Sequence, residues 1–90
     1  MNRTLHVPDG WELVPATGMR DISILTAPRI GSATIDFERR GFRAGAFVTT
    51  GRFVSEERTT RGGERKRYGG RGWRQTLVDD AVAWLRGVQR

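Results

Sequence analysis

The clearest periodicity in the chain lies at its C-terminal end. On a helical wheel Trp73, Leu77, Ala81, Trp84, Leu85 and Val88 share one face, with Val78 and Val82 at its edge. Gln75, Thr76, Asp79, Ala83, Arg86 and Arg90 fall on the other side. That spacing predicts an amphipathic helix running from Trp73 to the end of the sequence. It carries two of the three tryptophans, so this face is expected to roof the core.

Upstream the period changes from helical to alternating. From Ser32 to Glu38, Ala33, Ile35 and Phe37 point one way and Thr34, Asp36 and Glu38 the other, the pattern of a half-buried antiparallel strand. Asp21 to Ala27 alternates Ile22 and Ile24 against Ser23 and Leu25, and Pro28 ends it. Trp11 to Val14 reads as a short strand stopped by Pro15, after a turn at Asp9-Gly10. Arg39-Arg40-Gly41 is a turn in which Gly41 is expected to take a positive φ. Phe42 to Val48 returns as the partner strand, with a bulge expected at Gly45, and Arg52 to Val54 adds a last short piece.

From Ser55 to Gly72 neither period continues. Apart from the ring of Tyr68 the segment holds a serine, glycines, threonines and charges: six positive residues against three glutamates, a net +3 of the chain's +6. The expectation is a flexible basic loop over 55–72 within a single domain spanning 1–90. Strands closed by one helix make the fold class α+β. A three- to four-stranded antiparallel β-sheet is expected, packed by the C-terminal α-helix.

Composition narrows the setting. A chain of 90 residues is one small domain, and with no cysteine it has neither disulfides nor thiolate metal sites to reinforce it. No apolar run reaches the ~20 residues of a membrane span. Met1 to Pro8 has neither the basic start nor the apolar middle of a signal peptide. A cytoplasmic protein with no membrane partner is expected. Sixteen basic residues face ten acidic ones, and Lys66 is the single lysine. Arginine suits phosphate, carboxylate and aromatic partners, although a base-composition bias in the coding sequence accounts for an arginine excess equally well.

Candidate chemistry is sparse. His6 is the sole histidine, Asp79 and Asp80 diverge on the helix, and no phosphate-loop, dinucleotide or zinc spacing is present. No enzyme, cofactor or metal is expected. The basic residues are more suggestive. Gly69-Gly70-Arg71-Gly72-Trp73-Arg74 brings arginines to a helix start with free N–H groups, to be offset by a phosphate, by Glu56, Glu57 or Glu64 folding back, or by solvent, and Gly72 is the expected N-cap. Arg58, Arg61, Arg65, Lys66, Arg67, Arg71 and Arg74 are the expected phosphate contacts, with Tyr68 as a base-stacking ring or, in the alternative, a wedge of the loop against the sheet. Arg39, Arg40 and Arg43 on the second hairpin extend that surface, as a β-ribbon can enter a DNA groove.

The block Tyr68-Gly69-Gly70-Arg71-Gly72-Trp73-Arg74-Gln75-Thr76-Leu77-Val78-Asp79-Asp80-Ala81-Val82-Ala83-Trp84-Leu85, preceded by Ala33-Thr34-Ile35-Asp36-Phe37, resembles small proteins encoded by bacteriophages and prophages. That resemblance implies no established activity. In topology the chain is also similar to the arm-site DNA-binding domains of phage-type integrases, although no base-reading residues are matched. The expected function is a non-catalytic nucleic-acid-binding module, with DNA favoured over RNA. The alternative is a protein-interaction module that grips an acidic protein or forms a homodimer.

Overall fold

The computed structural model describes residues 5–16, 18, 21–47, 53–58 and 68–88. Five strands, β1 (Glu12–Pro15), β2 (Ile22–Ala27), β3 (Gly31–Asp36), β4 (Gly41–Phe47) and β5 (Phe53–Arg58), form one sheet in the order β1-β2-β3-β4-β5. Every neighbour is antiparallel. Helix α1 (Trp73–Gly87) follows and packs across β3 and β4. The α+β class, the antiparallel sheet and the single closing helix are as the pattern implied.

Register decides which side chains form the core. Ile35 stands opposite Ser23 and Phe42, and Ala33 opposite Leu25 and Ala44. One sheet face is therefore built from Leu25, Ala27, Ala33, Ile35, Phe42, Ala44 and Ala46, all buried. The same parity sends Ile24 and Val14 to the other face, where they stay 43% and 52% exposed as direct cross-strand neighbours. The alternation of Ile22 and Ile24 was visible in the sequence, but which side of β2 faced inward depended on its pairing with β3.

Alanines line the floor beneath the helix, and α1 buries Leu77, Val78, Ala81, Val82 and Leu85 in the same cluster. Each large aliphatic side chain contributes about 1.5–3 kcal/mol through burial. The tryptophans on this face, expected to roof the core, are half-buried. A floor of small residues brings the helix close, so compact aliphatic side chains fill the middle and the broad indoles of Trp73 and Trp84 sit at the margins.

Two turns differ from expectation. In the β3–β4 turn the positive φ falls on Arg40 (φ 57), while Gly41 already belongs to β4 and pairs with Asp36. The Asp36 carboxylate accepts the Arg39 N–H at 2.9 Å, which tightens the turn one residue earlier than Gly41. β4 has no bulge at Gly45, whose partners Ser32 and Ser55 continue both ladders unbroken. The glycine required by close approach is Gly31, because a Cβ there would lie 2.0 Å from the Gly45 carbonyl oxygen.

The expected loop over 55–72 also needs correction at its start. Ser55 to Arg58 complete β5, with Glu56 opposite Ala44 and Arg58 opposite Phe42. Charged residues carry no apolar alternation, yet β4 supplies hydrogen-bonding partners for their backbone, and an outer strand tolerates charge. Residues 59–67 lie outside the described residues.

The N-terminal segment runs beside α1. The His6 N–H donates to Gln75 Oε1 at 2.8 Å, and Gln75 Nε2 donates to the His6 carbonyl at 2.9 Å. Gln75 thus pairs with the backbone as a strand would. Near the other end of the helix, Arg86 lies over the Trp11 ring at 5.7 Å. Between these two contacts the chain turns at Asp9-Gly10, where the Trp11 N–H donates to the Pro8 carbonyl at 3.0 Å. Leu5, Val7 and Trp11 are thereby laid against the core.

Candidate nucleic-acid interface

The β3–β4 turn and the start of α1 meet at one pole of the domain. Phe37, buried in the turn, presents its ring to Trp73 edge-on, with centroids 6.2 Å apart. The guanidinium carbon of Arg40 lies 4.3 Å from the Trp73 ring centroid. That of Arg74 lies 4.9 Å from Trp73 and 5.0 Å from Phe37. Such contacts contribute about 0.5–1 kcal/mol each where solvent reaches them. They also hold flexible arginines in place, so less rotamer freedom is lost when a ligand arrives.

Hydrogen bonds complete the arrangement. Arg40 Nη1 donates to the Tyr68 carbonyl at 2.8 Å, which ties the turn to the segment leading into the helix. The Tyr68 hydroxyl donates to Asp80 Oδ2 at 2.6 Å, about two turns into α1. Arg74 Nη2 donates to Asp21 Oδ2 at 2.7 Å. Asp21 is held at this pole because its carbonyl accepts the Phe37 N–H at 2.9 Å.

The helix start carries its own partial positive charge. Gly72 is the N-cap at φ 78, as expected, with no side-chain cap and no acidic residue in the first turn. Thr76 sends both its N–H (3.1 Å) and its hydroxyl (3.3 Å) to the Gly72 carbonyl. The N–H groups before it point along the axis toward the pole. Arg71, immediately before the cap, is exposed.

The expected site residues thus separate into groups. Arg39, Arg40, Arg71 and Arg74 converge on this pole, and Arg39 also contacts Asp36 across 3.9 Å. The backbone of Arg58 reaches the same pole at the end of β5, beside Phe42. Arg61, Arg65, Lys66 and Arg67 lie outside the described residues. Arg43 is elsewhere: it alternates with the buried Phe42 and Ala44, and so belongs to the sheet face away from the helix.

Tyr68 requires a correction. Expected as a ring free to stack on a base, it is fully buried, with its hydroxyl on Asp80 and its carbonyl on Arg40. A phenol with a carboxylate partner beneath the turn is better satisfied inside than in water, and its ring fills core volume. The half-buried Trp73 is the aromatic ring at this pole that solvent reaches.

Sequence reasoning did not find Asp21 or Phe37 as members of the site. Asp21 and Arg74 are 53 positions apart, and no local pattern joins them. Among the described residues no group of three or more His, Cys, Asp or Glu side chains is placed to hold a metal ion. Nor is any helix among them long and apolar enough to cross a membrane. Comparison with known protein families, curated proteins and solved structures finds no match.

Proposed function

We propose that this domain is a non-catalytic nucleic-acid-binding module that contacts phosphates through the arginine-bearing pole, with DNA as the expected ligand. The observation that carries this reading is the convergence of Arg39 and Arg40 from the β3–β4 turn with Arg71 and Arg74 from the start of α1. Backbone N–H groups at a helix start with no side-chain cap favour the same anion. The described residues on either side of the basic stretch 59–67, Arg58 and Tyr68, both stand at this pole. Phosphate recognition of this kind is sequence-tolerant and strongly dependent on salt.

The test is fluorescence anisotropy of labelled duplex DNA, single-stranded DNA and RNA, titrated at several salt concentrations. Tight binding at low salt is expected, weakening steeply as salt rises. Replacing Arg39 and Arg71 by serine should lower affinity for all sequences alike and reduce the salt slope by about two. Absence of binding at low salt would overturn the proposal.

A second reading has one specific observation behind it. Val14 and Ile24, adjacent across β1 and β2, are exposed on the sheet face away from the helix. A protein-interaction module, with a second copy or an acidic protein as partner, would use such a face. Light scattering that reports a stable dimer, together with no DNA affinity, would favour that reading.

A further inference from the structure

We infer that Asp21 is a built-in competitor for nucleic-acid phosphate at Arg74, and so sets the affinity of the arginine-bearing pole; this rests on the nucleic-acid reading above. Arg74 is stacked over Phe37 and Trp73, so its guanidinium is already positioned. The ligand it holds in the free protein is a carboxylate oxygen, Asp21 Oδ2, at 2.7 Å. Both side chains are open to solvent, Arg74 at 42% and Asp21 at 48%. The exchange of carboxylate for phosphate therefore needs no movement of the core.

The two anions present the same chemistry to a guanidinium: paired oxygens that accept charge-assisted hydrogen bonds. Asp21 is anchored through its backbone to Phe37, so the carboxylate stays at this pole after it has been displaced. A phosphate that takes its place must separate the ion pair and then sit beside a negative charge. Both effects weaken binding. The carboxylate thus acts as a brake on an otherwise preorganised cation.

The experiment is a double-mutant cycle read by DNA anisotropy, using the full chain. Asp21→Asn keeps the shape and removes the charge. Its affinity for DNA should rise about fivefold at moderate salt, the range that an exposed ion pair commands. Its log–log salt slope should steepen by about one, because Arg74 becomes a full phosphate contact. In an Arg74→Gln background the same substitution should give no such gain. Glu12→Gln, which removes one negative charge at the start of β1, controls for net charge. Asp21→Ser serves as a second variant should the asparagine protein fold poorly.

If Asp21→Asn gains no more affinity than Glu12→Gln, or if its gain survives in Arg74→Gln, Asp21 is not a competitor for Arg74, and the inference is overturned while the nucleic-acid reading stands. If neither wild type nor Asp21→Asn binds nucleic acid at low salt, the reading itself fails and the inference falls with it.

Discussion

The two poles of this domain solve the same backbone problem with the same residue type, and to different effect. Each sheet turn at the helix-covered hairpins places an arginine at positive φ: Arg29 (φ 66) between β2 and β3, and Arg40 (φ 57) between β3 and β4. A side chain in this region costs roughly 1–2 kcal/mol relative to the right-handed conformation. At the Arg40 pole that cost is offset, since the guanidinium reaches the Tyr68 carbonyl and the Trp73 ring. At the Arg29 pole the side chain is exposed. There the turn is held by backbone, with Pro28 setting φ and the Ile30 N–H reaching the Ala27 carbonyl at 3.0 Å. One pole is therefore built from side chains that reach between elements, and the other from tight backbone geometry.

That contrast predicts where each pole is most fragile. The Arg40 pole should fail when its buried centre is removed. Tyr68 is 0% exposed and joins the turn, the helix start and Asp80. Tyr68→Ala should cost about 3–5 kcal/mol, a large part of the stability of so small a domain, measurable by urea denaturation. The opposite pole should fail when backbone is pushed apart. A Cβ at Gly31 would meet the Gly45 carbonyl at 2.0 Å and Ala46 Cα at 2.7 Å, neither of them a flexible side-chain end. Gly31→Ala should cost about 3 kcal/mol, the upper part of the usual overpacking range. A melting temperature unchanged by Gly31→Ala would show that the β3–β4 spacing adjusts freely, and would undo the description of that pole as rigid backbone.

How far the sequence could be read follows the same division. The strand over Ala33 and Ile35 and the helix over Leu77 to Leu85 were legible because a two- or 3.6-residue period is a local property; the same alternation ran on to Phe37 and Glu38, where the chain already turns. The Gly72 cap was legible for the same reason, as a glycine just before an apolar period. What escaped local reading was set by contacts between distant segments. The Gln75 amide grips the backbone of His6 across 69 positions, and Arg74 meets Asp21 across 53. Ser55 to Arg58 lacks alternation and becomes a strand through pairing with β4. Tyr68 read as a free ring amid glycines, since nothing nearby in sequence announced that Asp80 would receive its hydroxyl. The candidate site was accordingly half legible. Its arginines could be named, but their companions could not.

The sharpest test of the comparison uses the two positive-φ arginines themselves, where the expected effects are smallest but opposite in sign. Glycine relieves the left-handed strain at either position, at the expense of a more flexible unfolded chain. At Arg29, where the exposed side chain is lost at little expense, relief should prevail. Arg29→Gly is expected to stabilise by about 0.5 kcal/mol. At Arg40 the same relief is set against a hydrogen bond to a buried residue's carbonyl, worth about 1 kcal/mol, and a cation–π contact of about 0.5–1 kcal/mol. Arg40→Gly should therefore destabilise by about 1–1.5 kcal/mol. Chemical denaturation of both variants beside wild type reads the two signs directly. If both stabilise, the Arg40 contacts contribute less than the strain they accompany, and the side-chain tie between the β3–β4 turn and α1 is incidental to folding. If both destabilise, the turn at Arg29 depends on more than its backbone, and the proposed asymmetry between the poles does not hold.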